Sequence, residues 1–221
     1  MRVCIASSNC AALANVNVLR LSRMSAQIEE IRAQLRESAA VRERFSQELL
    51  ENIARFAEVA SVAISRGKKI VYFGNGGSAA DAQHLAAELV VRLKGNRKAL
   101  AGLALTTNTS ILTAAGNDFG IESIFSRQIE SIVASGDVLV ALSTSGSSVN
   151  IVRGVEAGRD RGAFLVALTG ETGGELRDVV DLLINVPSRD AQRIQEAHIT
   201  VGHIVCSLIE KSCCPELDDP K

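Results

Sequence analysis

Apolar residues change their spacing once along this chain, near Gly67. Before that glycine, over 25–65, they recur at steps of three and four residues, which is typical of amphipathic helices. After it, short apolar runs alternate with helix-spaced segments. We predict strands at 69–73, 101–105, 138–142, 164–168 and 182–186, helices near 79–93, 121–134 and 148–161, and a last amphipathic helix over 190–213. This alternation predicts an α/β fold with a parallel sheet and helices on both faces.

The segment before Gly67 predicts a pair of N-terminal helices over 24–66, with a break near Ser38. The apolar faces of these helices need a partner to cover them. Residues 1–23 are only weakly apolar and lack the long apolar core of a signal peptide, so we expect a poorly ordered extension. Met24 is a second candidate for the start of translation. Residues 24–221 are then expected to form one domain, with the α/β core and the C-terminal helix in 67–214.

Composition narrows the classes of function. A chain of 221 residues with 47% hydrophobic residues suits one large domain, and its core must be aliphatic because it has no Trp and one Tyr. The 24 basic and 25 acidic residues are well mixed, so we expect no nucleic-acid partner. No run reaches the ~18 apolar residues that a membrane span needs. Five cysteines without C-x-x-C spacing indicate free thiols in a reducing cytoplasm.

A glycine-rich turn, GNGGS at 74–78, follows the first predicted strand and leads into a helix whose N-cap we place at Ser78. Glycines let the backbone come close to a ligand, and a helix N-terminus offers N–H groups to an anion. His84 and Glu88 are four residues apart and share one face of that helix, as a metal or acid–base pair would. The same polar stripe, which includes Asp81, is also typical of a solvent-exposed face.

A serine-rich turn, STSGSS at 143–148, follows the predicted strand at 138–142 and also opens a helix. Hydroxyls and free N–H groups at a helix start suit a dianionic phosphate without a lysine. The alternative is an ordinary serine-rich turn that caps a helix. Neither turn matches a nucleotide-binding signature. The candidate phosphate ligands are Ser143, Thr144, Ser145 and Ser148.

The last helix carries RIQEAHITVGH at 193–203, with two of the three histidines. On a helix, Gln195 lies about 60° from His198 and about 80° from His203, and the two histidines are about 140° apart. They cannot easily serve one site together, and either could be a core or interface residue. A smaller motif, GNDFG at 116–120, reads as a polar turn before a helix and is weak alone.

Together these segments resemble a sugar isomerase (SIS) domain, specifically the bacterial phosphoheptose isomerase family. The resemblance spans about 28–211 and rests on GNGGSAADAQHLAAEL, GNDFG, LSTSGSS, LTGETGGEL and RIQEAHITVGH, in that order. It implies a five-stranded parallel sheet flanked by helices, and a homotetramer with active sites at subunit interfaces. It also implies conversion of sedoheptulose 7-phosphate to D-glycero-D-manno-heptopyranose 7-phosphate, toward the heptose of lipopolysaccharide or surface glycans.

The resemblance also implies roles for single residues. Glu88 and His203 match the acid–base pair of the family, which selects His203 over His198 and leaves His198 a supporting residue. One Zn²⁺ per subunit would be held by His84, Glu88, Gln195 and His203. The turn at 74–78 would hold the sugar hydroxyls, and 143–148 the phosphate. The implied substrate contacts are Asn75, Gly76, Gly77, Ser78, Glu88, Asn117, Asp118, Ser143, Thr144, Ser145, Ser148 and Gln195.

Aldose–ketose isomerisation moves a proton between adjacent carbons through an enediol. We expect Glu88 to take the carbon-bound proton and His203 to shuttle the hydroxyl proton. A competing interpretation is a non-catalytic SIS protein that binds the replication initiator DnaA. Another is a regulatory SIS domain that senses sugar phosphates. The presence of both Glu88 and His203 favours the enzyme, and no added DNA-binding or nucleotide-binding module is visible in the sequence.

Overall fold

The computed structural model describes residues 6–215, with side chains from residue 23 onward. It divides into two compact units, Met1–Ala40 and Val41–Lys221. The helices are α1 (Ala6–Glu43), α2 (Gln47–Ser65), α3 (Gly77–Val90), α4 (Thr109–Phe119), α5 (Ser126–Ile132), α6 (Val149–Asp160) and α7 (Ala191–Cys213). The strands are β1 (Ile70–Gly74), β2 (Gly102–Ala104), β3 (Val138–Leu142), β4 (Phe164–Thr169) and β5 (Leu182–Asn185), and short 3₁₀ helices cover Ile121–Ser123 and Gly174–Asp178.

Helix α1 makes up the described part of the first unit and ends just inside the second. The predicted break near Ser38 is wrong, because α1 continues to Glu43 and the interruption between the two helices lies at 44–46. There Ser46 caps α2, and its hydroxyl accepts a hydrogen bond from Leu49 N at 3.1 Å. The predicted extension over 1–23 stays a prediction: its first five residues lie outside those described, as do the side chains of 1–22.

The sheet has the strand order β2-β1-β3-β4-β5, and every neighbouring pair is parallel. This confirms the predicted five-stranded parallel sheet, with β2 trimmed to three residues. The order reverses between β1 and β3, which lie side by side. In open parallel sheets, ligands bind beyond the carboxyl ends of the strands at such a switch point. The loops after β1 and β3 are the glycine turn and the serine turn, so both predicted motifs meet there.

Helices cover both faces of the sheet, as predicted. One apolar cluster packs α2, α3 and α7 against the sheet, and it includes Ile70 and Tyr72 of β1. A second cluster packs α4, α5 and α6 against the other face, and it includes Val71 and Phe73. The alternation along β1 follows from the two-residue period of a strand. Among the described residues, no helix is both long and apolar enough to span a bilayer.

Helix α4 departs from the sequence-based prediction. Ala115 is the one buried residue of α4. Because the helix has no buried apolar stripe, its sequence lacks the helical spacing of apolar residues that would have predicted it. The interpretation of 116–120 as a turn before a helix is wrong: this segment is the last turn of α4, and Gly120 ends the helix with φ 86°. The single helix predicted over 121–134 is also wrong, because a 3₁₀ turn precedes the shorter α5.

Candidate active site

The two loops at the switch point are joined by a pair of side-chain amides. Asn75, just after β1, donates from Nδ2 to Asn150 Oδ1 at 2.8 Å, and Asn150 donates back from Nδ2 to Asn75 Oδ1 at 2.8 Å. Asn150 lies in the first turn of α6 and is only 9% exposed. The reciprocal bonds fix the orientation of the Asn75 amide. The sequence does not single out Asn150, because polar residues are common near helix starts.

The glycine turn opens α3 two residues earlier than predicted. Gly76 is the N-cap, with φ 56° and ψ −119°, and Ser78 is buried within the first turn. The assignment of Ser78 as N-cap is therefore wrong, since the turn needs a positive φ that glycine adopts easily. A Cβ placed on Gly77 would lie 2.7 Å from Gln195 Oε1 and 2.9 Å from its Nε2. The amide of Gln195 thus lies directly on this turn.

The serine loop, residues 143–148, is folded on its own backbone. Gly146 N donates to Ser143 Oγ at 3.1 Å, and Ser147 N donates to Ser145 Oγ at 3.2 Å. Ser148 is the N-cap of α6, and its side chain makes no capping bond. The loop therefore places hydroxyls and a helix N-terminus at the carboxyl edge of the sheet, which suits an anion.

A second loop, residues 170–176, braces the serine loop from behind. Leu176 N donates to Gly146 O at 3.1 Å, and Glu175 N donates to Ser147 Oγ at 3.3 Å. A Cβ on Gly146 would lie 2.0 Å from Gly173 O, so the two backbones touch where any side chain would collide. This contact gives a structural role to LTGETGGEL, a motif that the sequence analysis used only as part of the family resemblance.

Three side chains form a cluster, the triad, between α3 and α7. His84 Nε2 lies 2.8 Å from His203 Nε2 and 3.2 Å from Glu88 Oε1, and His203 Nε2 lies 4.0 Å from Glu88 Oε1. The imidazole rings meet edge to face, with centroids 5.0 Å apart. His84 and His203 are partly open to solvent, whereas Glu88 is more buried. The triad thus combines a carboxylate with two imidazoles.

The donor set of the triad fits a divalent metal. One ligand atom from each residue lies within 4.8 Å of the others. Two nitrogen ligands of a tetrahedral Zn²⁺ are about 3.3 Å apart, so the observed separations need only small adjustments. Gln195 precedes His203 by eight residues on α7, and its amide lies on Gly77, so its role as the fourth ligand stays a prediction. The three ligands that the structure brings together are His84, Glu88 and His203.

Asp81 lies about one turn before His84, in the polar stripe of α3. Its Oδ2 is buried and has no hydrogen-bond partner among the described residues. Burial raises the pKa of Asp81, while the nearby imidazoles of His84 and His203 oppose that rise. A second carboxyl group thus lies close to the triad.

His198 belongs to the core. It is fully buried, and its Nε2–H donates to Thr169 O at 3.1 Å, because a carbonyl oxygen only accepts. Burial lowers the pKa of His198 to about 4, although the bond to Thr169 works in the opposite direction. The helix wheel left the two histidines undecided, and the structure brings His203 to Glu88.

Asn117 and Asp118 lie apart from both groups. They sit in the exposed last turn of α4, where Asn117 Nδ2 donates to Asp118 Oδ1 at 2.7 Å. Within the described part of the chain, no bond links them to the other candidate residues. Their implied contact with substrate stays a prediction.

The parallel sheet, its two loops at the switch point and the flanking helices define an SIS domain, and the family model described as SIS domain matches residues 34–170. Phosphoheptose isomerase of Geobacter metallireducens is 54% identical over 183 residues, covering 83% of this chain and 97% of that protein. Phosphoheptose isomerase of Aquifex aeolicus is 47% identical, covering 85% and 98%. The solved phosphoheptose isomerase GmhA of Neisseria gonorrhoeae is 40% identical with a TM-score of 0.79, covering 84% and 99%. The chain belongs to the phosphoheptose isomerase family.

Proposed function

We propose that this protein is a phosphoheptose isomerase that converts sedoheptulose 7-phosphate to D-glycero-D-manno-heptopyranose 7-phosphate in the cytoplasm, for heptose and surface-glycan biosynthesis. The observation that carries the proposal is the position of the Glu88 carboxylate, 3.2 Å from His84 Nε2 and 4.0 Å from His203 Nε2. A base and an imidazole on different helices can divide the two proton transfers of an enediol mechanism.

In this mechanism Glu88 removes a proton from C1 of the open-chain ketose and returns it to C2. His203 delivers a proton to O2 and takes one from O1, so that the C2 carbonyl becomes a C1 carbonyl with no net gain or loss of protons. Glu88 is suited to this work because it is more buried than the two imidazoles that flank it. A carboxylate in such a setting is shielded from bulk water and held near the reacting carbon.

His84, Glu88 and His203 would hold the zinc ion, with Gln195 as the fourth ligand that the family resemblance implies. When bound, zinc polarises a carbonyl or hydroxyl oxygen. The amide of Gln195 lies on the glycine turn, which supports a role in binding substrate hydroxyls together with Asn75.

The phosphate would bind to the serine loop, through its hydroxyls and the N-terminus of α6. The exposed pair Asn117 and Asp118 would meet substrate bound to a neighbouring copy in a homotetramer, since among the described residues no hydrogen bond joins them to the two loops. We expect neither a nucleic-acid nor a membrane partner.

The direct test is turnover of sedoheptulose 7-phosphate by the purified full-length protein with added Zn²⁺, followed by ¹H and ³¹P NMR. Appearance of the aldoheptose 7-phosphate is the expected result. In D₂O, deuterium should enter at C2 of the product to the extent that the proton held by Glu88 exchanges with solvent before it is returned.

No turnover, combined with tight binding to DnaA, would overturn the isomerase proposal in favour of the non-catalytic alternative. The enzyme names of the similar proteins and the approach of Glu88 to His203 support the isomerase.

A further inference from the structure

We propose that Arg97 and Glu210 form a buried clamp that positions Glu88 against His203. They act as positioning residues, because neither touches the proposed substrate. The inference rests on the proposed function of the triad. It identifies two residues that neither the motifs nor the family resemblance assigned to the site.

Glu210 lies in the last turns of α7, and each of its carboxylate oxygens accepts two hydrogen bonds. Its Oε1 accepts from Lys94 N at 3.0 Å and from Gly95 N at 2.9 Å. Its Oε2 accepts from Leu93 N at 3.1 Å and from Arg97 Nε at 2.8 Å. Burial alone would raise the pKa of Glu210, but these donors outweigh it and lower the pKa to about 2. The carboxylate thus ties the loop after α3 to α7.

Arg97 carries the connection from that loop back to the catalytic helix. Its side chain is only 1% exposed, and that of Glu210 5%. Nη2 of Arg97 donates to Glu88 O at 2.8 Å, and Nη1 donates to Leu89 O at 2.8 Å. These are carbonyls of the last turn of α3, which lack a partner within the helix. The guanidinium therefore holds the backbone of the proposed base itself.

The clamp acts at a fixed place relative to the triad. Glu210 follows His203 by seven residues, two turns along the same face of α7. Immediately before His203, a Cβ on Gly202 would lie 2.4 Å from Leu85 Cδ2, so α3 and α7 are already in close contact there. This contact sets the middle of the α3–α7 pair, and the clamp sets the end of α3 that carries Glu88. Loss of the clamp should let the end of α3 that carries Glu88 move.

The chain offers a matched control. Asp137 is also a buried carboxylate, with a side chain 2% exposed, and it accepts from Lys69 Nζ at 2.5 Å and from Ala134 N at 2.8 Å. It lies just before β3, at the opposite edge of the sheet from the two loops. Its loss should destabilise the fold through the same chemistry without touching α3 or α7.

The experiment compares Glu210→Gln with Asp137→Asn in the full-length chain. We expect both to lower the melting temperature. Glu210→Gln alone should weaken Zn²⁺ binding, measured by calorimetry, by about 10- to 100-fold, the range seen when residues that support metal ligands are lost. It should also lower kcat more than it changes KM. In crystal structures the distance from Glu88 Oε1 to His203 Nε2 should increase only in Glu210→Gln.

An unchanged Glu88–His203 distance in Glu210→Gln, or an equal change in Asp137→Asn, would overturn the clamp. If Glu210→Gln does not fold, Arg97→Lys replaces it, because it keeps the charge and removes the bond to Glu88 O. The distance measurement needs no turnover, so the clamp can stand if the proposed reaction fails. Conversely, a turning-over enzyme with an unmoved Glu88 in Glu210→Gln would reject the clamp and leave the function intact.

Discussion

The serine loop and the triad are built in different ways. The serine loop is a backbone site: it follows β3 directly, bonds to itself through Ser143 and Ser145, and is braced by the loop at 170–176. The triad is a side-chain site whose members come from two helices, with His84 and His203 119 residues apart in sequence. The loop depends on local conformation, whereas the triad depends on how α3 and α7 pack.

This difference predicts different consequences of mutation. In the proposed mechanism, a change in the triad alters the chemical step or the metal and leaves phosphate binding in place. A change in the serine loop or its brace alters the binding of substrate and leaves the chemistry of bound substrate largely intact. Measuring whether each variant changes kcat or KM therefore tests whether the triad and the serine loop act separately.

The largest effect should come from Glu88→Gln. Removing the general base should lower kcat by about 100- to 10,000-fold, while KM changes little because the serine loop is untouched. Steady-state kinetics with sedoheptulose 7-phosphate measure both values. The control is Glu130→Gln, which removes an exposed carboxylate that lies 3.8 Å from Arg127 on α5 and should leave both values unchanged. A Glu88→Gln enzyme with normal kcat would move the base elsewhere.

The next effect should come from Gly146→Ala. Its Cβ would lie 2.0 Å from Gly173 O at a φ of 68°, so the serine loop must separate from its brace. Displacement of binding groups by about 1 Å can cost up to ~100-fold, and we expect that loss in KM and in inhibition by inorganic phosphate. Gly136→Ala is the control, since it has a φ of 86° but the atoms nearest to its Cβ belong to the flexible Lys68 side chain.

Both variants should lose about 1–3 kcal/mol of unfolding free energy through backbone strain, measured by denaturant titration. Only Gly146→Ala should lose affinity for substrate and phosphate. An equal loss of affinity in the two variants would show that strain, not the contact with Gly173, is responsible.

The same contrast explains what the sequence could predict. The five strands and the two loops after β1 and β3 follow from local patterns, and the structure confirms the sheet. The pairing of His84 with Glu88 follows from helix spacing. The meeting of His84 with His203 depends on helix packing, which a helix wheel of α7 alone could not decide. For the same reason, the bonds between Asn75 and Asn150 and between Arg97 and Glu88 were not predictable.

A smaller effect is expected at the amide pair that joins the two loops. Asn150→Asp replaces the donor to Asn75 Oδ1 with an oxygen, which turns an attraction into a repulsion. The loss of about one hydrogen bond should raise KM roughly 5- to 10-fold, with kcat nearly unchanged. The control is Asn52→Asp. Asn52 lies on α2, away from the two loops, and its amide donates to Leu183 O of β5 at 3.2 Å. If Asn150→Asp lowers kcat instead, the pair serves the chemical step and the contrast between loop and triad weakens.

The smallest effect on activity should come from His198, which bears on stability alone. Burial lowers its pKa from 6.5 to about 4, so between these values the unfolded chain binds a proton that the folded chain does not. The contribution of His198 to stability is therefore full above about pH 6.5 and is lost as the pH falls toward 4. Urea midpoints measured across this range should fall less steeply for His198→Gln than for the unmodified chain. Parallel slopes would contradict the assignment, and a large loss of kcat at pH 7.5 would return His198 to the active site.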